Sequence, residues 1–222
     1  FTWEKVGTIN VGLDVNLFNN RLSGVFEWYQ RNTNGMLAPG VQLPAVVGAS
    51  APYQNTADMR TRGWELSLNW RDQIGKVGYR IGFNLSDYKS EIIKYDDNAA
   101  TKLLRSYYPG QTLGEIWGYV VDGYYTVDDF VDTSSWQLKE GVTSINGYNV
   151  RPGDVKFKNL RDDDTSTNVI TSGDNTFDNP GDRKVIGNTT PRYQYGNNLG
   201  MNYAGCYLNV ILQGTGQRED WS

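Results

Sequence analysis

Six segments of the chain alternate apolar and polar residues almost without interruption. From position 9 to position 17 every odd-numbered residue is apolar, and the residues between them are Asn, Gly and Asp. Successive side chains of a strand point to opposite faces, so each segment is predicted to form a strand with one apolar and one polar face. The six predicted strands are Thr8–Phe18, Arg21–Arg31, Thr61–Arg71, Gly78–Tyr88, Tyr193–Tyr203 and Tyr207–Gly214.

The connections between these strands are very unequal in length. Short turns at Asn19-Asn20, Asp72–Lys76 and Ala204-Gly205 join the strands in pairs, whereas residues 32–60 and 89–192 form long connections. Alternation alone also suits a soluble β-sandwich, but a sandwich has loops of similar length at both ends. Alternation combined with short turns on one side and long loops on the other is typical of a transmembrane β-barrel. The predicted fold class is therefore all-β, a segment of a large antiparallel transmembrane barrel.

The direction of the strands divides the chain into three regions. If the short turns share one side of a membrane, residues 89–192 must contain an even number of crossings, and we expect none. Residues 1–88 are then two barrel hairpins with an extracellular loop at about 32–60, and residues 193–222 are a third hairpin. Residues 89–192 become one large extracellular loop region, with local strands predicted at Glu115–Tyr125 and Asp154–Lys158.

Composition narrows the possible functions. The 222 residues carry a net charge of −4 and a pI near 4.9, which argues against a nucleic-acid-binding surface. The chain has no histidine and one cysteine, Cys206, so it offers no His-based catalysis, no His metal site and no internal disulfide. No apolar run approaches the ~18 residues of a spanning helix. The chain begins at Phe1 without Met or signal peptide, and we interpret it as a piece of something longer.

Three motifs identify a family. The segment Gly110–Tyr119 with Asp122-Gly123-Tyr124-Tyr125, the segment Pro152–Lys158 and above all the segment Pro180–Gly196 (PGDRKVIGNTTPRYQYG) occur in order along the chain. Together they resemble motifs of the SusC/RagA family of TonB-dependent outer-membrane transporters. The resemblance covers nearly the whole chain, which would correspond to part of the C-terminal half of the barrel.

The resemblance implies a function and partners. Members of this family are barrels of about 22 strands with an N-terminal plug, and they import large nutrients, oligosaccharides or in some members peptides. We therefore expect the outer membrane of a Gram-negative, Bacteroidetes-like bacterium as location and its lipid as surroundings. A SusD-like surface lipoprotein would act as the lid. The TonB complex would act through a part of the protein outside this chain. No cofactor is implied.

Aromatic residues of the loop region are candidates for substrate binding. Sugar rings have apolar faces that stack on aromatic side chains, and binding sites combine such faces with a few polar groups. Alternatively, these residues pack a core of the loop region or contact the lid, because Tyr and Trp are favoured at interfaces. The candidates are Tyr107, Tyr108, Trp117 and Tyr119, and the same region also contains Tyr124, Tyr125 and Trp136.

Acidic residues suggest two further kinds of site, and neither is favoured. Asp162, Asp163 and Asp164, followed by Asp174, Asp178 and Asp182, lie where family members often carry a calcium loop, but Arg161 and Asp164 replace a ligand and the turn glycine. We expect a solvated acidic loop and no metal. Pairs such as Asp128-Asp129 could suggest a glycosidase, which needs two acids at a defined separation. In a Gly- and Asn-rich loop we expect them to be solvated, so no enzyme is predicted.

The polar phase of the strands supplies the expected inner wall of the barrel. These side chains would face the plug or a water-filled channel, and their expected role is to solvate that wall. They include Asp14, Asn16, Glu65, Asn69, Arg80 and Asn84. The main alternative function is a soluble β-sandwich adhesin or carbohydrate-binding module.

Overall fold

The computed structural model describes residues 2–40, 44, 46, 48, 50–98, 100–103, 107–161 and 168–220. Strands make up almost all of the regular secondary structure of these residues, with short 3-10 turns at Asp96–Asn98 and Val127–Asp129. None of its described helical segments has the length and hydrophobicity needed to cross a membrane. The strands are β1 Lys5–Leu17, β2 Leu22–Pro39, β3 Tyr53–Ile74, β4 Val77–Tyr95, β5 Glu115–Tyr119, β6 Val121–Tyr124, β7 Ser144–Ile145, β8 Val155–Phe157, β9 Val169–Ile170, β10 Arg183–Asn188, β11 Arg192–Tyr203 and β12 Cys206–Gln217.

The chain divides into two compact units. The sheet unit comprises residues 1–97, 109–114 and 188–222, and the loop unit comprises residues 98–108 and 115–187. In the sheet unit, six strands form one sheet in the order β1-β2-β3-β4-β11-β12. Every neighbouring pair is antiparallel, and β4 pairs directly with β11. The all-β, antiparallel fold class and the six predicted strands are confirmed.

The pairing register aligns all the apolar phases on one face of the sheet. One row of directly opposed residues runs Leu13, Phe26, Leu66, Leu85 and Tyr195 across five strands. A second row runs Leu17, Leu22, Trp70, Ile81, Leu199 and Val210 across all six. We call this the apolar face; Asn197, paired with Phe83 and Leu212, is a polar exception on it.

The apolar face is not covered by other described residues. Leu13 is 61% exposed, Phe26 is 42% exposed and Leu212 is 53% exposed. Exposed apolar area of this extent is rare on monomeric soluble proteins and marks an interaction surface or a membrane surface.

Charged residues limit the apolar face at both ends of β3. Beyond Trp64 on the same face lies Arg62, whose Nε donates to Gln30 Oε1 at 2.7 Å. Beyond Trp70 lies Asp72, which forms an ion pair with Arg21 at 3.2 Å. At about 3.3 Å per residue and a tilt near 40°, the six residues from Trp64 to Trp70 give about 15 Å of height, less than the ~25 Å apolar band of a barrel. By that arithmetic Trp64 and Trp70 cannot both border one such band, although the apolar stretch of β3 ends at both.

The loop predicted at residues 32–60 is shorter than expected. β2 continues through Pro39 and β3 begins at Tyr53, so the connection comprises only residues 40–52. A bulge between Thr33 and Met36 shifts the register there and breaks the alternation that marks a strand in sequence. The predicted boundary at residue 88 is also too early, since β4 extends to Tyr95. These extensions bury a small core of Ala38, Ala57, Ile92 and Tyr95.

Positive backbone dihedral angles occur at the predicted turns. Asn19 and Asn20 have φ of 55° and 63°, and Gly75 between β3 and β4 has φ of 60°. Ala204 and Gly205 have φ of 48° and 83° in the last hairpin. These left-handed conformations match the right-handed twist of the flanking strands, which favours tight hairpins.

The loop unit has its own hydrophobic core. Tyr125, Phe130 and Val150 are buried together, with Trp136 and Leu138 among the residues packed against them. The strands that frame it are short: β6 pairs with β8, β5 with β10, and β7 runs parallel to β9. The predicted local strands at 115–125 and 154–158 are confirmed by β5, β6 and β8.

Candidate functional site

The polar face of the sheet carries a groove of about 700 Å³. Glu27 and Glu65 lie directly opposite each other on β2 and β3 within it. The two carboxylates carry like charges and cannot stabilise each other. They form an acidic row in a groove whose other hydrogen-bonding groups are uncharged. Its other polar side chains are Ser67, Asn84, Ser86, Gln194, Gln213 and Thr215.

A second groove of about 570 Å³ lies on the same face towards the short turns. Here Arg71 and Arg80 are directly opposed, and Arg80 Nη2 donates to Asn209 Oδ1 at 3.1 Å. Along β3 the six residues from Glu65 to Arg71 correspond to about 20 Å. The polar face of the sheet therefore has an acidic row and a basic row that can contact a hydrophilic solute or protein segment. The shared phase of Asp14, Asn16, Glu65, Asn69, Arg80 and Asn84 is confirmed by the register.

The structure brings Tyr108 and Trp117 together in the loop unit. Tyr108 is fully buried, its ring lies 5.8 Å from that of Phe177, and its hydroxyl donates to Glu115. Trp117 Nε1 lies 2.9 Å from Tyr108 Oη and 2.8 Å from Glu115 Oε1, and its ring meets Phe177 edge-on. Tyr108 therefore presents no ring face to a ligand. It packs the core of the loop unit, which is the alternative to substrate binding for these aromatic residues.

The other two candidate aromatics are more accessible. Tyr107 is 40% exposed. Tyr119 is half-buried, with its ring 5.4 Å from Phe157. Of the remaining aromatics, Tyr125 is buried in the core, whereas Tyr124 is 65% exposed. Substrate contact at Tyr107, Trp117 and Tyr119 remains a prediction.

Asp182, within the most specific motif, is fully buried and not part of a solvated acidic loop as expected. Its Oδ1 accepts the backbone N–H groups of Leu160 and Arg161 at 2.7 and 3.2 Å, and its Oδ2 accepts that of Thr171 at 2.7 Å. Three backbone donors from two segments thus converge on one carboxylate, which satisfies them where water has no access. The position of Asp182 after Pro180-Gly181 was the available sequence signal, because a turn motif often carries a structural acid.

The adjacent Arg183 closes the same loop from the other side. Its guanidinium donates to Pro180 O at 3.1 Å, to Ser172 O at 2.9 Å and to Asn175 Oδ1 at 2.6 Å. Gly181 has φ of 64°, and a Cβ there would lie 2.4 Å from Gly173 N. Only glycine allows this approach of two backbones, so the motif has a structural role in the loop unit.

The second half of the motif anchors the return of the chain into the sheet. Asn188 Nδ2 donates to Leu113 O at 3.2 Å, and Thr190 Oγ1 donates to the same oxygen at 3.0 Å. Arg192 holds Asp87 of β4 with two hydrogen bonds, the one from Nε being 2.6 Å long. The side chain of Asp87 is only 7% exposed, and the alternation of apolar and polar residues along β4 carries no signal for this role. Such a bidentate pair fixes the β4–β11 register in both direction and position.

The acidic residues provide no metal site in the described part of the chain. No group of three or more potential ligands clusters among those residues, and Asp162, Asp163 and Asp164 lie outside them. Asp174 is engaged by Thr176, whose hydroxyl donates at 2.6 Å and holds the carboxyl pKa below its usual value.

Asp129, expected to be solvated, is instead part of the loop-unit scaffold. The backbone N–H of Thr126 donates to it at 2.8 Å, and Lys156 Nζ lies 3.1 Å away. The Thr126 N–H bond, and then Lys156, lower the pKa of Asp129. A carboxylate held ionised in this way serves as a turn cap and not as a proton donor.

Known proteins with similar sequences are TonB-dependent receptors. "TonB-dependent receptor P3" of Formosa agariphila is 28% identical over 95% of this chain and 20% of its own length. "TonB-dependent receptor SusC" of Bacteroides thetaiotaomicron is 26% identical over 65% of this chain and 15% of its own length. The chain thus spans about a fifth of the length of the first of these relatives. No protein-family profile matches the chain.

A solved structure supplies the corresponding fold. The "RagAB peptide importer in the 'open-open' state" superimposes with a TM-score of 0.66 at 22% identity, over 96% of this chain and 20% of the solved chain. The sheet thus has the fold of a piece of that larger protein. Sequence and fold agree: the chain is similar in sequence to TonB-dependent receptors, SusC among them, and similar in fold to a segment of the RagAB importer.

Proposed function

We propose that this chain is part of an outer-membrane importer of oligosaccharides or peptides that is powered by the TonB complex. The apolar face carries the proposal, because it is continuous across six strands and exposed. In a β-barrel such a face contacts lipid, while the polar face lines the interior. The polar face, with its acidic and basic rows, suits a hydrated passage or a docked plug. The TonB complex would act on a part of the protein outside this chain.

The proposed partner is a SusD-like surface lipoprotein that covers the extracellular end. The two-part name of the RagAB importer supports a partnered assembly, and its description as a peptide importer supports a peptide as cargo. The resemblance of the motifs to the SusC/RagA family keeps oligosaccharides as an equal alternative. Within the loop unit, Tyr107, Trp117 and Tyr119 are the proposed contacts for cargo or lid.

Fractionation of the source cells tests this function. The tryptic peptide Val185–Arg192 should be recovered with the detergent-extracted outer membrane, and a surface lipoprotein should co-purify with the intact receptor. Deleting the gene should abolish growth on one class of oligosaccharide or peptide. Recovery of the peptide in the soluble fraction would contradict the proposal.

A soluble β-sandwich adhesin or carbohydrate-binding module is less well supported. A sandwich buries the apolar face of each sheet against a second sheet about 10 Å away. In the described residues Val11, Leu13 and Leu208 on the apolar face are each more than half exposed. A protein that stays monomeric without detergent would nevertheless favour this alternative.

A further inference from the structure

Two cations lie directly opposite each other at one edge of the apolar face. The register pairs Arg62 of β3 with Lys89 of β4, one row beyond the row that contains Trp28 and Trp64. The other members of the Arg62 row on β1 and β2 are Ile9 and Gln30, which are uncharged. Directly opposed like charges are unfavourable, so the pair needs an anion that the row does not provide.

Neighbouring acids on this face are already engaged or matched. Asp87 accepts both hydrogen bonds of Arg192. Glu91 is directly opposite Arg60 in the next row. Within the described residues the guanidinium of Arg62 bonds only to the uncharged Gln30, and the exposed ammonium group of Lys89 has neither a hydrogen bond nor an ion pair. Arg62 and Lys89 together therefore leave two positive charges uncompensated.

The opposite edge of the apolar face differs. There Arg21 and Asp72 form an ion pair at 3.2 Å, so the charges cancel. Arg62 and Lys89 thus lie at the edge away from the short turns, next to Trp64, where the apolar stretch of β3 ends. A ligand that fits this edge has an apolar part that packs beside the tryptophans and an anionic group that contacts Arg62 and Lys89.

We propose that Arg62 and Lys89 bind the phosphate group of a lipid whose chains cover the apolar face. Directly opposed strand residues have Cβ atoms about 5 Å apart, so both side chains can reach one phosphate. The guanidinium offers paired N–H donors and the ammonium a point charge, and both are established phosphate ligands. Basic side chains at a membrane surface attract anionic head groups in the same way. The inference rests on the proposed function, because it requires the apolar face to lie in lipid.

The experiment uses the full-length receptor purified from the outer membrane of its own host. The receptor is placed in phosphatidylcholine nanodiscs that contain a minor fraction of lipid A, either phosphorylated or enzymatically dephosphorylated. Native mass spectrometry then measures the lipid A retained after ejection from the disc. We expect the wild-type receptor to retain the phosphorylated form on the order of tenfold better, because two cations contribute.

Variants locate the site on the receptor. Lys89→Gln, which removes an exposed side chain without a partner, should reduce retention, and Arg62→Gln with Lys89→Gln should abolish the preference for phosphate. Arg21→Gln, which removes a cation at the other edge of the same face, should leave it unchanged. Equal retention of the two lipid forms by wild type, or a double variant that retains the preference, would overturn the inference. Absence of the receptor from the outer membrane would overturn the proposed function as well, whereas failure of the lipid test alone would leave that function standing.

Discussion

The sheet unit and the loop unit place their apolar side chains in opposite ways. Across the six-stranded sheet the apolar residues point outward, and many of them remain about 40–60% exposed, as for Leu13 and Phe26. In the loop unit the aromatic residues turn inward, and Tyr108 and Tyr125 are at most 1% exposed. The same residue types therefore face the surroundings in one unit and the core in the other.

The two units also differ in where they place charged side chains. The loop unit buries Asp182 completely and Arg183 to 8% exposure, each surrounded by hydrogen-bonding partners. The sheet unit buries Asp87 against Arg192, but its charged rows Glu27/Glu65 and Arg71/Arg80 remain on the open polar face. The difference teaches that the loop unit supplies its own stability, whereas the sheet depends on a medium or partner to cover its apolar face.

The largest expected effect is on the loop unit. Asp182→Ala would remove the acceptor of three buried backbone N–H groups, and each unsatisfied donor costs about 1–3 kcal/mol. We expect at least about 3 kcal/mol of local destabilisation, measured in the intact receptor as loss of protection of the amides of Leu160, Arg161 and Thr171. The exposed Asp178→Ala is the control. Protection unchanged in Asp182→Ala would show that the unit does not depend on this carboxylate.

A charge on the apolar face tests the sheet in turn. Leu68→Arg should cost about 2–4 kcal/mol if the residue lies near the bilayer midplane, because arginine cannot be solvated there. Asn69→Arg, the next residue but on the polar face, should have little effect. An outer-membrane assembly assay measures both, and equal tolerance of the two variants would argue against lipid contact.

Loss of the ion pair between Asp87 and Arg192 is expected to have an intermediate effect on stability. Asp87→Asn would replace a bidentate charged contact to Arg192, and hydrogen bonds to charged groups contribute about 1.5–3 kcal/mol. Hydrogen exchange should accelerate where β4 and β11 meet, near Ser86 and Gln194. Asp72→Asn, which breaks the more exposed pair with Arg21, should cost less than about 1 kcal/mol. Equal effects of the two variants would contradict a special role for Asp87.

The smallest expected effect is a pH dependence confined to the loop unit. The folded pKa of Asp129 lies below the usual 3.8, mainly because of the Thr126 N–H bond. Its contribution to stability is therefore complete above the unfolded pKa and is lost as the pH falls through the lowered folded value. Limited proteolysis of the segment between Thr126 and Lys156 across this acidic range measures it. Asp129→Asn should flatten the dependence, and an unaltered pH profile in that variant would assign it to other groups.

The sequence predicted the sheet well because strand alternation is a local property. The period of two fixed the phase of every strand, and the register then aligned Leu13, Phe26, Leu66 and Leu85 as expected. Prediction failed where a bulge between Thr33 and Met36 interrupted the period, so the outer ends of β2 and β3 were assigned to a loop. The loop unit was predicted only in part, because its strands are two to six residues long and carry little periodic signal.

The candidate site illustrates the same limit. The sequence alone was enough to identify the aromatic and acidic residues of the loop region as candidates, to assign the two faces of each strand and to show the resemblance to SusC/RagA transporters. Only the tertiary structure showed that Tyr108 is buried against Phe177, that Asp182 binds three backbone N–H groups, and that Arg62 and Lys89 are directly opposed. The physical reason is that alternation depends on adjacent residues, whereas burial and cross-strand pairing depend on residues far apart in the chain that only the folded backbone brings together.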